Sequence, residues 1–194
     1  MRDEDRLPDR QRWDQRYASL EPERRTTPSP FLSACLPRLP SCGYALDVAS
    51  GAGRNSVALA KHGLQVDAID VSWHGLRRAA ALAALQHTTI NPIVLNLARG
   101  WLPSRRYDVI VNSLFLMREL IPAIEAALSE GGWLVFETFT IAQIEITPHR
   151  FNSHDRLLRP GELRQLFHDL SIVDYWEGVE DDRATARLLA RCFV

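Results

Sequence analysis

A glycine turn near residue 50 constrains the fold of this chain more than any other feature. The apolar run Tyr44–Val48 ends in a turn with Gly51 and Gly53, and a helix-compatible stretch follows from Val57 to His62. Strand, glycine turn and helix in this order are typical of α/β sheets that bind nucleotide-like ligands. Glycine lets the backbone approach a ligand closely, and the helix N-terminus beyond it offers unpaired N–H groups to an anion.

The residues around the turn differ from a dinucleotide-binding fingerprint. Ser56 occupies the third glycine position of Gly-x-Gly-x-x-Gly, and Asp47 closes the strand, where it would repel a pyrophosphate but attract an ammonium group. The predicted strand Gln65–Ile69 is followed by Asp70, and a carboxylate there can accept both hydroxyls of a ribose. An ammonium group, a carboxylate and a ribose together describe S-adenosylmethionine. The alternative role for Asp70 is an ordinary helix N-cap.

Several segments of the chain resemble one enzyme family. Leu46–Asn55, with the sequence Leu-Asp-Val-Ala-Ser-Gly-Ala-Gly-Arg-Asn, resembles motif I of the class I S-adenosylmethionine-dependent methyltransferases. Trp13–Tyr17 resembles the Trp-x-x-Arg-Tyr element of their small-molecule branch, which includes tellurite-resistance-type enzymes. Asp70, the segment Leu102–Asp108 and the strand around Gly131–Glu137 follow in the order that this family uses. The resemblance therefore runs from about Trp13 to the C-terminus.

Strands and helices alternate along the chain, which predicts an α/β fold with a doubly wound, mostly parallel sheet and right-handed crossovers. The later predicted strands are Ile93–Leu97, Tyr107–Asn112, Gly132–Thr138, Ser171–Trp176 and Ala186–Phe193. The resemblance implies a Rossmann-like methyltransferase fold with seven strands in the order 3-2-1-4-5-7-6, strand 7 being antiparallel. We expect an N-terminal helical lid segment over residues 1–40 and a single methyltransferase domain over residues 41–194.

Composition indicates a single-domain protein without a general attraction to polyanions. A length of 194 residues fits one domain, and a net charge of −1 predicts neither nucleic acid nor a membrane as partner. The three cysteines form no Cys-x-x-Cys pair, which argues against a zinc knuckle or a disulfide framework. No apolar segment has the length of a membrane span, and the charged N-terminus does not resemble a signal peptide. We expect a cytoplasmic protein, monomeric or homodimeric.

The predicted cofactor contacts lie mostly at the ends of predicted strands. The full set is Arg16, Tyr17, Asp47, Ala49, Gly51, Gly53, Asn55, Asp70, Val71, Asn96, Leu97 and Asn112. Val71 is expected to line the adenine, and Asn96 with Leu97 stands where relatives often place an Asp-Leu pair beside it. Asn112 is expected next to the transferred methyl group, the alternative being a plain strand terminus.

Arg16 and Tyr17 form a candidate lid, because the corresponding pattern folds back across the site in relatives. Arg16 would then pair with the methionine carboxylate of the cofactor. The alternative is a solvated arginine on a charged helix.

No general base and no metal site stand out in the sequence, so the catalytic residues stay unassigned. The segment His149–Asp155 contains two histidines and an aspartate, but their spacing matches no standard metal site, and we expect a substrate-covering loop. Glu137 and Thr138 end a predicted strand and face the same cleft. Asn112–Phe115 lacks the Asp/Asn-Pro-Pro-Tyr signature of DNA amino-methyltransferases, and no Pro-Cys pair of the cytosine-C5 type occurs. A small-molecule acceptor is therefore favoured.

The sequence predicts an S-adenosylmethionine-dependent methyltransferase that moves a methyl group to a small molecule by direct displacement. Two alternatives remain open. An NAD(P)-dependent oxidoreductase is opposed by Ser56, by Asp47 and by more than forty residues ahead of the first strand. A non-catalytic S-adenosylmethionine-binding protein is compatible with Asn96 in place of the usual acid and with the missing base.

Overall fold

The computed structural model describes residues 9–19, 26–148 and 154–193. Its strands are β1 (Tyr44–Val48), β2 (Gln65–Asp70), β3 (Asn91–Val94), β4 (Tyr107–Ser113), β5 (Leu128–Phe139), β6 (Ser171–Glu180) and β7 (Arg183–Arg191). They form one sheet in the order β3-β2-β1-β4-β5-β7-β6, and β7 is antiparallel to both of its neighbours. The predicted fold class and strand order are confirmed.

Seven α-helices accompany the strands in the part of the chain that the structure describes. They are α1 (Asp9–Ser19), α2 (Pro30–Cys35), α3 (Arg54–Lys61), α4 (Trp73–Leu85), α5 (Ile121–Ala127), α6 (Gln143–Ile146) and α7 (Glu162–Leu166). None of the helices among the described residues has the length and apolar character that crossing a membrane requires. Contacts divide the chain into two compact units, Met1–Arg99 and Gly100–Val194.

In the first unit, β1, β2 and β3 are parallel neighbours, and Tyr44 pairs with Gln65. The apolar residues of β1 are fully buried beyond Tyr44, as expected for a strand covered on both faces. Helix α4 begins after Ser72, whose hydroxyl accepts a hydrogen bond from the backbone N–H of Gly75 at 3.0 Å. The strand Tyr44–Val48 and the N-cap at Ser72 are therefore confirmed.

The prediction of strand β3 at Ile93–Leu97 was wrong by several residues, because β3 spans Asn91–Val94. The backbone N–H of Leu95 still donates to the carbonyl oxygen of Asp70 in β2 at 2.9 Å, and the chain turns after it. The side-chain oxygen of Asn96 accepts a hydrogen bond from the backbone N–H of Ala98 at 3.1 Å, and Leu97–Arg99 forms a 3₁₀ turn. An asparagine that binds its own backbone two residues on is a recognised way to end a strand.

In the second unit, β4 and β5 are parallel, whereas β7 lies between β5 and β6 and is antiparallel to both. Asp181 and Asp182 have φ angles of 48° and 58°, which is the pattern of a two-residue type I′ hairpin turn. The acidic turn predicted at Glu180–Asp182 is thus shorter than expected, and both flanking strands extend up to it.

The end of the long predicted loop Ile141–Arg159 is fixed by Arg118. Its guanidinium group donates to both carboxylate oxygens of Glu162, at 2.6 and 2.8 Å, and to the carbonyl oxygens of Asp155 and Leu157. Helix α6 lies within the same segment. The residues His149–Ser153 of the predicted substrate-covering loop lie outside the described residues.

Candidate cofactor site

The turn after β1 has a left-handed backbone at several positions. The φ angles of Ala49, Gly51 and Gly53 are 53°, 56° and 77°. For Ala49 this conformation costs about 1–2 kcal/mol, and backbone strain of this kind clusters at ligand sites. Gly53 is also the N-cap of α3, so the turn delivers the chain directly into that helix.

Close packing explains why two turn positions are glycine. A Cβ atom on Gly51 would overlap the hydroxyl group of Tyr17, and one on Gly53 would overlap the Cβ atom of Ala79. The turn is therefore held between α1 on one side and α4 on the other.

Asp47 lies at the end of β1 and is only 1% exposed. Its Oδ2 accepts a hydrogen bond from the hydroxyl group of Ser56 at 2.5 Å. Burial raises the pKa of Asp47 to about 7, although the hydrogen bonds from Ser56 and the charge of Arg54 oppose the shift. The two residues that depart from a dinucleotide fingerprint are thus bonded to each other. A buried carboxylate in this position suits a cationic ligand group, because neutralising the charge removes the cost of its burial.

Asp70 at the end of β2 connects the glycine turn with the start of α4. The backbone N–H of Gly51 donates to its Oδ2 and that of Ser72 to its Oδ1, both at 2.8 Å. Since Ser72 is the N-cap of α4, the N-cap alternative for Asp70 is excluded. Burial raises the pKa of Asp70, and the two backbone hydrogen bonds oppose that shift. A carboxylate oxygen has two lone pairs, so each oxygen can still accept a ligand hydroxyl.

Helix α1 lies against the glycine turn through Tyr17. A Cβ atom on Gly75 would be 3.1 Å from the Tyr17 ring, so this ring contacts the start of α4 as well as Gly51. Burial, and then the charge of Asp70, raise the pKa of the Tyr17 phenol. Trp13 stacks on Tyr17 with ring centroids 5.9 Å apart, and the guanidinium group of Arg16 lies 5.2 Å from the centroid of the Trp13 ring.

Other predicted cofactor residues of the first unit hold the local structure. Asn55 is buried, and its Oδ1 accepts a hydrogen bond from the backbone N–H of Ser29 at 2.9 Å, just ahead of α2. Val71 is half-buried between Asp70 and Ser72, Leu97 is buried, and Asn96 is exposed and binds its own turn. Their contacts with a cofactor stay predictions.

The end of β4 in the second unit carries buried polar atoms without hydrogen-bond partners among the described residues, in contrast to the bonded carboxylates of Asp47 and Asp70. Asn112 is 1% exposed, and its Nδ2 donates to the carbonyl oxygen of Phe115 at 2.8 Å. That bond fixes the orientation of the amide, yet Asn112 Oδ1 and the buried hydroxyl group of Ser113 have no hydrogen-bond partner among the described residues. Leu114 follows with a φ angle of 60°. The role of Asn112 beside the transferred methyl stays a prediction.

Glu137 and Thr138 near the end of β5 are both buried. Glu137 Oε1 accepts a hydrogen bond from Nε of Arg187 at 3.0 Å, and the same guanidinium group contacts Glu180 at 2.7 Å. It also lies 4.5 Å from the centroid of the Trp176 ring. Among residues 9–19, 26–148 and 154–193, no three potential ligands are grouped so that they could hold a metal ion.

Sequence reasoning missed two polar side chains that complete the site. The hydroxyl group of Ser56 was recognised only as a replaced glycine, and its bond to Asp47 spans nine residues across the turn. Asp14 was not singled out, although it binds Ser72, which lies 58 residues further along the chain. The only available signal was the position of Asp14 inside the Trp-x-x-Arg-Tyr element.

Comparison with known families finds one match, which covers part of this chain. Residues 45–132 match the family described as methyltransferase domain. The match begins in β1 and ends within β5, so it includes the glycine turn, Asp70 and the end of β4. No curated protein matches the chain in sequence.

Solved structures with similar folds cover most of the chain. Magnesium protoporphyrin IX methyltransferase (ChlM) from Synechocystis PCC 6803 with bound SAM is 15% identical with a TM-score of 0.70, covering 96% of this chain and 98% of that chain. TehB from Haemophilus influenzae is 18% identical with a TM-score of 0.69, covering 94% and 66%. The [4+2]-cyclase SpnF is 18% identical with a TM-score of 0.67, covering 84% and 80%. At these identities the similarity establishes the fold alone, and this fold is the one that the resemblance to the class I methyltransferases implies.

Proposed function

Because the chain has the class I methyltransferase fold and a methyltransferase domain match over residues 45–132, we propose that it binds S-adenosylmethionine and transfers the methyl group to a small molecule. The proposed cofactor site is the glycine turn with Asp47 and Asp70. The proposed acceptor site involves the ends of β4 and β5.

The observation that carries this proposal is the pair of buried carboxylates at the ends of adjacent strands. Asp70 is held by the backbone of Gly51 and Ser72, so its oxygens are oriented before any ligand arrives. Asp47 is bonded to Ser56, at the position where a dinucleotide-binding turn has its third glycine. Two carboxylates oppose a pyrophosphate but suit a ligand with an amino group and a ribose.

The residues of the turn fit S-adenosylmethionine. The hydroxyl group of Ser50, next to Gly51 in the turn, is buried without a hydrogen-bond partner among the described residues. A buried hydroxyl without a partner costs about 1–3 kcal/mol, which a ligand group can offset. Asp47 would hold the amino group of the cofactor and Asp70 its ribose hydroxyls. Arg16 and Tyr17 would cover the site.

When bound, the cofactor supplies an electrophilic methyl group on a sulfonium. The protein then has to align the acceptor and exclude water. Asn112 Oδ1 and Ser113 Oγ are suited to accept hydrogen bonds from the acceptor, because neither has a partner among the described residues. A soft nucleophile such as a thiol needs little help from a base, which agrees with the lack of an obvious one. A net charge of −1 supports a small acceptor over a nucleic acid.

Binding without methyl transfer is a second candidate function. It is favoured by the similarity to SpnF, a [4+2]-cyclase, because the same fold carries a different activity there. Incubation of the protein with S-adenosylmethionine and a panel of thiols, selenite, tellurite, amines and phenols separates the two. Formation of S-adenosylhomocysteine with one acceptor class supports methyl transfer. Tight binding without turnover across the whole panel supports the alternative.

Calorimetry with S-adenosylhomocysteine and NADH tests the cofactor assignment. We expect binding of S-adenosylhomocysteine and none of NADH. Asp70→Asn should weaken binding by at least tenfold, because an amide retains only one oxygen for the backbone and the ribose. Asp67→Asn is the matched control, since Asp67 is a buried carboxylate of the same strand that accepts from Asn91. Equal affinity of the wild type and both variants would contradict the assignment.

A further inference from the structure

Helix α1 is attached to the start of α4 by one carboxylate, that of Asp14. Its Oδ1 accepts hydrogen bonds from the hydroxyl group of Ser72 at 2.6 Å and from the backbone N–H of His74 at 3.2 Å. The second of these donors is one of the N–H groups that a helix leaves unpaired at its N-terminus. An acidic side chain at that end also interacts favourably with the dipole of the 13-residue helix α4.

Ser72 also connects Asp14 with Asp70, the carboxylate that is proposed to bind the ribose. Ser72 donates its hydroxyl hydrogen to Asp14, while its backbone N–H donates to Asp70. Asp70 in turn accepts from the backbone of Gly51. A continuous set of hydrogen bonds therefore runs from α1 through the start of α4 to the glycine turn.

Tyr17 stands three residues after Asp14, and therefore on the same side of α1. Its hydroxyl group lies against Gly51 and its ring against Gly75. The attachment at Asp14 thus fixes the part of α1 that contacts the turn. Desolvation opposes ionisation of Asp14, but hydrogen bonds from Ser72 and His74, with the charges of His74 and Arg10, keep its pKa below the ordinary value.

We propose that Asp14 is a positioning residue that fastens α1 over the glycine turn and thereby slows the release of the adenosyl ligand. The inference rests on the proposed function, since it requires a ligand at Gly51 and Asp70. Asp14 acts through Ser72 and Tyr17, and its attachment to α4 determines how often the turn becomes accessible.

Three variants of α1 test this role. Asp14→Ala removes the acceptor of both hydrogen bonds. Asp14→Asn retains one oxygen in the position of Oδ1, so this variant should behave much like the wild type. Asp9→Asn is the matched control, because Asp9 is an exposed acid of the same helix that pairs with Arg12. Thermal unfolding of each variant checks that the fold is intact.

Trypsin digestion tests the attachment without any ligand. Helix α1 contains Arg10, Arg12 and Arg16, so cleavage after these residues reports its detachment. We expect cleavage at these bonds, identified by mass spectrometry, to be about tenfold faster in Asp14→Ala than in the wild type, Asp14→Asn or Asp9→Asn. A tenfold change corresponds to about 1.4 kcal/mol, close to the lower end of the range for hydrogen bonds to a charged group. Equal cleavage rates in all four proteins overturn the attachment.

The dissociation rate of S-adenosylhomocysteine, measured by stopped-flow displacement, tests the consequence. We expect Asp14→Ala to release the ligand about tenfold faster, with Asp14→Asn and Asp9→Asn close to the wild type. Equal rates in a wild type and an Asp14→Ala variant that both bind the ligand overturn this inference and leave the proposed function standing. No binding by the wild type overturns both.

Discussion

The carboxyl ends of β1 and β2 and those of β4 and β5 contain buried polar groups in two different states. At the first pair, the carboxylates of Asp47 and Asp70 are bonded to Ser56, Gly51 and Ser72. At the second pair, Asn112 Oδ1 and Ser113 Oγ are buried without a partner among the described residues. The first region is organised by the protein itself, whereas the second has hydrogen-bonding capacity that the protein does not use.

This difference agrees with the proposed roles of the two regions, cofactor binding at the first and acceptor binding at the second. A site whose side chains are fixed in advance loses little conformational freedom when it binds, which suits a cofactor common to every turnover. Unpaired buried oxygens cost about 1–3 kcal/mol each, and polar groups of an acceptor can offset that cost. Each of the following predictions challenges one side of this comparison.

The largest effect is expected from the pH dependence of stability at Asp47. Its pKa is about 7 in the folded protein against an ordinary value of 3.8 for aspartate, so the folded state binds a proton more tightly. The stability that comes from this tighter proton binding is fully present below pH 3.8 and is lost as the pH rises to about 7. The shift corresponds to about 4 kcal/mol at 1.36 kcal/mol per pH unit.

Asp47→Asn removes this titration. Relative to the wild type, the variant should therefore gain stability between pH 4 and 7 and reach a constant advantage above that range. Urea unfolding of both proteins across pH 4–8 measures the difference. If the difference in unfolding free energy between the two proteins does not change with pH, the pKa of Asp47 is not raised in the folded protein.

The next effect concerns two glycines that are both N-caps in the left-handed conformation. Gly53 precedes α3 with a φ angle of 77°, and Gly161 precedes α7 with a φ angle of 70°. An added Cβ meets Ala79 at the first position and nothing within 4 Å at the second. Gly161→Ala should cost about 1–2 kcal/mol of unfolding free energy from strain alone. Gly53→Ala should cost about 1–3 kcal/mol more because of the overlap. Equal losses in urea unfolding would show that the turn is not tightly packed.

The smallest effect comes from two serines whose hydroxyl groups are buried. Ser56→Ala deprives Asp47 of its hydroxyl partner and should lower the unfolding free energy by about 1–2 kcal/mol. Ser113→Ala removes a buried hydroxyl group that has no partner among the described residues, so it should not lower the unfolding free energy and should raise it by about 1 kcal/mol. Differential scanning calorimetry of both variants provides the comparison. A large loss in Ser113→Ala would contradict the contrast between the two regions.

Local signals in the sequence were sufficient for the segment from β1 to the start of α4. The apolar run of β1, the glycine turn and the N-cap Ser72 are all encoded within a few residues, and the structure places them where the pattern predicts. Strand β3 was misplaced because it is short and partly exposed at the sheet edge, so its apolar signal is weak. Strand β6 was predicted to end too early and β7 to begin too late, because two aspartates are an unusual choice for a tight hairpin turn.

The candidate site was predictable only in part for a related reason. Asp47 and Asp70 are identified by their position at strand ends, which any parallel sheet brings to one edge. The bond of Asp14 to Ser72 depends on how α1 packs on α4, and packing between distant segments leaves no periodic pattern in the sequence. The unpaired atoms at Asn112 and Ser113 likewise emerge only from the packed structure.

A crystal structure of the protein with S-adenosylhomocysteine tests the central claim most directly. The account predicts the ribose hydroxyls within hydrogen-bond distance of the Asp70 carboxylate and the amino group of the ligand beside Asp47. Ligand bound elsewhere, or a ribose turned away from Asp70 in a fully occupied site, would contradict it.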